Sequence, residues 1–359
     1  VAALPSPALV LHWDSVEENL RRMLAGAPSA DRLRPHLKTH KLPQIVARLS
    51  ELGVTKAKCA TVAEAEMAAS AGATDVLLAA PLVGPTTGRL IALMRAFPQV
   101  VFTGLADDPE ALAAVQAAAA AAAVHVRVMI DLDVGQHRTG IAPGAAVPLY
   151  RQLAASRNLV PAGLHAYDGH LHQRDAAERA AACDAAFAPV AALVRALRSD
   201  GLPVPAVVAG GTPTFPMHAR RPEVECSPGT CVLWDAGYAD HLPDLEFLPA
   251  ARLLARVVSR PAPDRLCLDL GHKAVASEMA PPRVVFPELP DATPVMHNEE
   301  HLVLQTERAA AFPVGTVLAG IPWHICPTVA LHAFVHVVRD GSEGVETWPV
   351  TARTRRITL

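Results

Sequence analysis

From residue 34 to residue 227, apolar and polar positions follow a repeating rhythm. Short runs rich in branched residues predict strands over 34–39, 56–60, 75–80, 100–104, 124–131, 163–167, 206–209 and 224–227. Amphipathic stretches between them predict helices over 42–52, 62–71, 86–96, 109–123 and 175–199. A further strand is expected at 8–12, with Asp14 or Ser15 capping the helical run after it. Eight strands interleaved with helices predict a parallel (β/α)8 barrel, with a doubly wound sheet as the competing architecture.

Near residue 248 the texture changes. Helical periodicity fades, and short β-rich pieces punctuated by Pro and Gly follow at 252–259, 265–269, 301–306, 316–318, 335–339 and 346–351. This predicts a second, mainly β domain. The 359 residues suffice for two domains. They are 51% apolar with a net charge of -3, which gives no electrostatic preference for nucleic acid or an anionic membrane. Six scattered cysteines suggest neither a disulfide scaffold nor a zinc knuckle. The alanine-rich run 112–124 is too short to span a bilayer. No charged segment followed by an apolar one stands near the start, so a cytoplasmic location is expected.

The chemistry is expected to centre on Arg34-Pro35-His36-Leu37-Lys38-Thr39-His40-Lys41. In a strand, Arg34, His36, Lys38 and His40 would share one face, a basic edge or a site for an anionic cofactor. Crowded cations lower an amine's pKa, as Schiff-base chemistry requires. Further polar clusters follow predicted strands, where barrels place their chemistry. They are Asp131 to Gly140, containing Arg138; His165-Ala166-Tyr167-Asp168-Gly169-His170; and Gly210-Gly211-Thr212-Pro213-Thr214 with Ser227-Pro228-Gly229-Thr230. Small residues of this last kind let backbone N–H groups approach a phosphate. In the second domain, Pro322-Trp323-His324-Ile325-Cys326-Pro327 sets a histidine and a cysteine on one side of an extended segment.

These segments together resemble the D-threonine aldolase and eukaryotic-type D-serine dehydratase family, pyridoxal-phosphate enzymes built like alanine racemase. The octad matches the family's Arg-Pro-His-x-Lys-Thr-His-Lys signature, which implies that Lys38 carries the cofactor. The resemblance further implies that Arg138 approaches the cofactor's phenolic oxygen and that Tyr167 lies beside its pyridine ring. Gly211, Thr212, Gly229 and Thr230 would bind its phosphate. His324 and Cys326 would be the only protein ligands of a divalent metal, zinc before manganese, magnesium or cobalt, leaving positions open for substrate. His36 and His301 are further catalytic candidates; the latter follows Asn298-Glu299-Glu300 where the family has Ser-Glu-Glu. Asp269-Leu270-Gly271-His272-Lys273-Ala274 resembles the family's Asp-x-Gly-x-Lys-Ala stretch and is expected to pack at the domain junction. The implied plan is a barrel over 13–245 and a β domain over 1–12 plus 246–359, in a homodimer.

Three activities compete on these grounds. Dehydration and deamination of a D-3-hydroxy amino acid to a keto acid and ammonia is expected first, because dehydratases of the family pair His with Cys. Retro-aldol cleavage to glycine and an aldehyde is the alternative, since the aldolases pair His with Asp. Racemisation needs a tyrosine opposite the lysine, and the three tyrosines (150, 167, 238) leave none for the second domain. A non-catalytic cofactor carrier would need neither the second domain nor the His-x-Cys pair.

Overall fold

The computed structural model describes residues 3–359. Its backbone divides into one unit of residues 23–38, 43–229 and 354–359 and another of residues up to 22, 39–42 and 230–353. β1 (Ala8–His12) belongs to the latter.

In the first unit, the apolar runs form seven parallel strands hydrogen-bonded in chain order. They are β2 (Lys56–Cys59), β3 (Asp75–Pro81), β4 (Val101–Ala106), β5 (Val126–Leu132), β6 (Leu159–Ala166), β7 (Val207–Ala209) and β8 (Val224–Cys226). Three of the intervening helices begin on side-chain caps. The Thr61 hydroxyl accepts from the Glu64 N–H, and Asp108 and Asp175 accept from N–H groups two and three residues on. Helix Ala146–Ala155 was not expected from the pattern; Pro148 in its first turn obscured it. Inside the sheet, Leu77, Leu105, Met129, Ala162 and Val208 form a buried cluster. Gly163 in β6 has φ +117°, and a Cβ there would lie 1.9 Å from the Ala206 oxygen, so only glycine admits β7 this closely.

The segment 34–39 is not a strand. Leu33 bridges Cys226 and His36 bridges Lys58, both in parallel register. Backbone bonds Arg34 N–H to Cys226 O (2.8 Å), His36 N–H to Pro228 O (2.9 Å) and Lys58 N–H to Pro35 O (2.9 Å) carry the chain between β8 and β2. The eighth barrel position is therefore filled by single bridges. Pro35 has no N–H for a ladder, and Leu37–Thr39 turns into a 3-10 helix. The expected shared face of Arg34, His36, Lys38 and His40 is lost with the strand. Arg34 is buried and committed to structure. Its guanidinium donates to both Asp75 oxygens (2.8 and 3.0 Å) and to Glu225 (2.7 Å), which Lys56 also meets at 2.6 Å. His40 is buried too, and loss of hydration pushes its imidazole down to about 3.

One helix, Ala176–Ser199, is long and apolar enough by composition to cross a membrane. Its Arg179 is wholly buried and donates to the carbonyls of Pro213 and Gln173. Val190, Leu193, Val194 and Leu197 are buried with it, as in an outer helix of a barrel.

The second unit is β-rich, as the texture predicted. β9 (Ala251–Ala262), β10 (Arg265–Leu268), β11 (Val284–Val285), β12 (Thr293–His297), β13 (Leu302–Gln305), β14 (Val317–Pro322), β15 (Phe334–Val338) and β16 (Glu346–Pro349) supply it. The strands run in the order β12-β13-β10-β9-β1-β15-β16, with β14 also on β9 and β11 on β14. β1 thus sits inside this sheet, antiparallel to β9 and parallel to β15. Trp13 closes edge-on against Trp348 at 5.2 Å.

Candidate active site

In the first unit three cations surround one aromatic ring. Lys38 Nζ lies 5.6 Å, Lys58 Nζ 5.3 Å and Arg138 Cζ 5.3 Å from the centroid of Tyr167. Lys38 is half-buried, in the 3-10 turn just past the barrel bridge, and its N–H reaches His36 Nδ1 at 3.4 Å. Tyr167 follows β6, and Arg138 stands in the loop after β5. That loop is held by Asp133, whose carboxylate accepts from the N–H groups of Gly135 (2.9 Å) and His137 (3.0 Å). These bonds hold the Asp133 carboxyl down at about 2. The structure therefore brings together Lys38, Arg138 and Tyr167, and the His36 ring meets the Lys38 backbone N–H.

Lys58 was not among the expected site residues. Its amine is buried, 1% exposed, and lies 3.5 Å from His165 Nε2, while His165 Nδ1 lies 2.7 Å from Asp131. The carboxylate accepts the Nδ1 proton, so Nε2 is left to accept from Lys58. Thr139, beside Arg138, donates to the other Asp131 oxygen at 2.9 Å. Burial first, then the charge of Lys38, pushes the Lys58 amine down to about 7. Alternation along β2 carried the signal. A Lys-x-Lys pair in a barrel strand sends both amines to one face, and both find partners from other strands.

The two glycine-containing loops also meet. The Gly229 N–H donates to the Thr212 hydroxyl at 3.0 Å. A Cβ on Gly211 would stand 3.1 Å from the Tyr167 ring, so the backbone approaches the tyrosine closely. Ser227 Oγ is buried without a partner. An orphaned hydroxyl between glycine-rich backbone segments fits an anion such as a phosphate. Behind the first loop, Asp168 accepts from Thr214 (2.8 Å) and from His218 Nε2 (2.8 Å), with Cys183 Sγ 3.5 Å from the same nitrogen. Donor atoms of Asp168, Cys183 and His218 all lie within 4.8 Å of one another, the spacing a metal needs. Arg221, however, is 2.9 Å from His218 Nδ1, so Nδ1 accepts and the proton sits on Nε2, facing Asp168. That proton and the guanidinium already supply the positive charge, and the cluster braces the phosphate-type loop.

In the second unit the segment expected to be extended turns into a helix after Trp323: His324 caps Ile325–Leu331, and Cys326 lies in its first turn. Cys326 Sγ is 3.2 Å from the hydroxyl of Thr39, the residue after Lys38, and 3.5 Å from that of Thr230. Thr230 thus faces the sulfur. Glu278 approaches His324 Nδ1 at 2.5 Å. Burial lowers the His324 imidazole, but the hydrogen bond and charge of Cys326, then Glu278, raise it to about 9. A proton held between imidazole and sulfur occupies the place a soft divalent cation would take, so this donor set fits a metal such as zinc. Asp235 ties the segment down, accepting from the N–H groups of Tyr238 (2.8 Å) and Ile325 (3.0 Å). Burial pushes its carboxyl up to about 6. His301, by contrast, is exposed in the turn before β13, its N–H bonded to Asn298. The half-buried histidines of that region are His272 and His297, with rings 5.8 Å apart.

Two family profiles match the chain. "Alanine racemase, N-terminal domain" covers residues 11–234, and "Putative serine dehydratase domain" covers residues 250–338. A D-threonine aldolase of an Arthrobacter species is 35% identical over 98% of this chain and 94% of its own. A D-threo-3-hydroxyaspartate dehydratase of a Delftia species is 27% identical over 96% of this chain and 97% of its own. Among solved structures, D-threonine aldolase from Filomicrobium marinum superposes with a TM-score of 0.91 at 34% identity, covering 98% of this chain and 96% of that one.

Proposed function

The chain belongs to the family of D-threonine aldolases and eukaryotic-type D-serine dehydratases, with their alanine-racemase-like barrel, and from that premise we propose that it is a pyridoxal-phosphate-dependent lyase that cleaves D-3-hydroxy amino acids to glycine and an aldehyde. The observation that carries the lyase reading is the half-buried Lys38 amine sharing the Tyr167 ring with Arg138. Preference for cleavage over dehydration rests on the greater whole-chain likeness to the aldolase, 35% against 27%.

Lys38 would hold the cofactor, with Tyr167 against its ring and Arg138 facing its phenolic oxygen. Gly211, Thr212, Gly229 and the orphaned Ser227 hydroxyl would hold its phosphate. Bound there, the cofactor supplies a sink for the electron pair left at Cα when the neighbouring bond breaks. His324 and Cys326 would hold the divalent metal, which supplies Lewis-acid polarisation at the β-hydroxyl. Thr39 and Thr230 orient the sulfur, and Glu278 orients the imidazole. Loss of the β-hydroxyl proton opens the path to cleavage. Lys38, freed as an amine and protonated in turn, would return a proton at Cα.

Dehydration is the second reading, favoured by Cys326, since the dehydratases of the family carry His-x-Cys. Incubation with pyridoxal phosphate, zinc or manganese, and D-threonine, D-serine or D-threo-3-hydroxyaspartate separates the two by mass spectrometry. Glycine plus aldehyde supports cleavage. Keto acid plus ammonia overturns it in favour of dehydration. Neither product, with the same visible absorbance in wild type and Lys38→Ala, overturns the lyase reading itself.

A further inference from the structure

Lys58 has no part in the function proposed above, yet its placement is unusual. The amine is buried, and its nearest described polar partner is a ring nitrogen rather than a carboxylate. It lies as close to the Tyr167 centroid as Arg138 does, both at 5.3 Å. A buried lysine that serves only stability is normally matched directly by a carboxylate. Here Asp131 is reached through His165, whose Nδ1 is 2.7 Å from it, and Asp168 acts on the amine through its charge. Asp131, His165 and Lys58 thus form a chain from a fixed negative charge to an amine at the ring that Lys38 also meets.

The charged and titratable neighbours come from every element around it. Lys38 and Arg34 come from the bridge and turn, and His36 is its bridge partner. Asp131 comes from β5 and His165 from β6. Asp168 and Arg138 come from the loops beyond these strands. Two of the cations, Lys38 and Arg138, share its aromatic ring, so a positive charge on Lys58 is felt directly by the nitrogen of Lys38.

We propose that Lys58 is a positioning residue whose charge, relayed through His165 to Asp131, governs the protonation of the nitrogen on Lys38 once the cofactor is attached there. The proposal rests on the cofactor assignment made above. When Lys58 loses its extra proton the amine becomes neutral, while Asp131 holds the Nδ1 proton of neutral His165 and leaves Nε2 to accept from the amine. The Lys38 nitrogen then keeps its own proton to higher pH. With Lys58 charged, that proton is released earlier. Titration of the amine near neutrality makes this a switch within the working pH range.

The test is a pH titration, from 5.5 to 10, of the visible absorbance of the cofactor-loaded protein, for wild type, Lys58→Met and Lys58→Arg. Wild type is expected to show a spectral step near pH 7. Both variants lose that step. Their remaining transition separates by about one pH unit, higher in Lys58→Met and lower in Lys58→Arg, because the guanidinium stays charged throughout. A merely structural lysine would not place the two variants on opposite sides. Identical titrations in all three proteins, or a wild-type profile in Lys58→Arg, overturn the proposal. Should Lys58→Met not fold, the comparison of Lys58→Arg with wild type decides alone. Absence of any visible band in wild type with pyridoxal phosphate overturns the cofactor reading instead, an outcome independent of Lys58.

Discussion

Replacing Lys58 by methionine is expected to stabilise the fold, and by an amount that depends on pH. The amine is 1% exposed, and burial pushes it from its ordinary 10.5 down to about 7. A base with a lowered folded pKa carries its full penalty below pH 7, where both states are protonated. The penalty fades between pH 7 and 10.5, where the unfolded chain alone binds the proton, so wild-type stability rises with pH across that window. At about 1.4 kcal/mol per pKa unit, the penalty is about 5 kcal/mol at pH 6 and falls by about 3 kcal/mol by pH 9.5. Methionine removes it but leaves His165 Nε2 without its donor, at a cost of about 1–3 kcal/mol. The net gain at pH 6 is about 2–4 kcal/mol, and the advantage of the variant shrinks by about 3 kcal/mol by pH 9.5. Urea unfolding of both proteins at the two pH values, with cofactor equally saturating, measures this change directly. An advantage that is constant with pH, or that grows, would refute the claim that a depressed, buried amine sits at this position.

Three other perturbations test the framework around the site. Arg34→Met removes the guanidinium that joins Asp75 to Glu225 across the barrel closure. A loss of about 3 kcal/mol in urea unfolding is expected, at the low end for a broken buried pair because Lys56 still meets Glu225. Gly163→Ala adds a strained φ to a Cβ 1.9 Å from the Ala206 oxygen, so it costs about 4 kcal/mol and lowers the yield of folded protein; a wild-type Tm would contradict the β6–β7 geometry. Cys326→Ala leaves the Lys38 environment intact, so the protein should keep its cofactor absorbance while zinc affinity falls at least about tenfold in chelator competition; unchanged affinity would place the metal elsewhere.

What could be read from the chain, and what could not, divides along range of interaction. The strand–helix rhythm of the barrel and the β texture after residue 248 are local patterns, and both appear in the structure. The one misread strand, 34–39, failed on a local rule that was available, since Pro35 cannot donate to a ladder. Asp235 and Thr39 are different. Each meets the His324–Cys326 segment from far along the chain, Asp235 at the Ile325 N–H and Thr39 at the sulfur 287 residues away. No spacing rule connects such positions. His301 shows the limit of a motif from the other side, because its resemblance names a site residue while the local fold sets it in an exposed turn. Lys58 lies between these cases. Period two set its face, but only the barrel interior decides whether an inward lysine meets a carboxylate, as Lys56 does, or a neutral imidazole. The same Lys-x-Lys pair thus yields one structural ion pair and one amine free to titrate, and the difference lies in which residues β6 and β8 bring to meet β2.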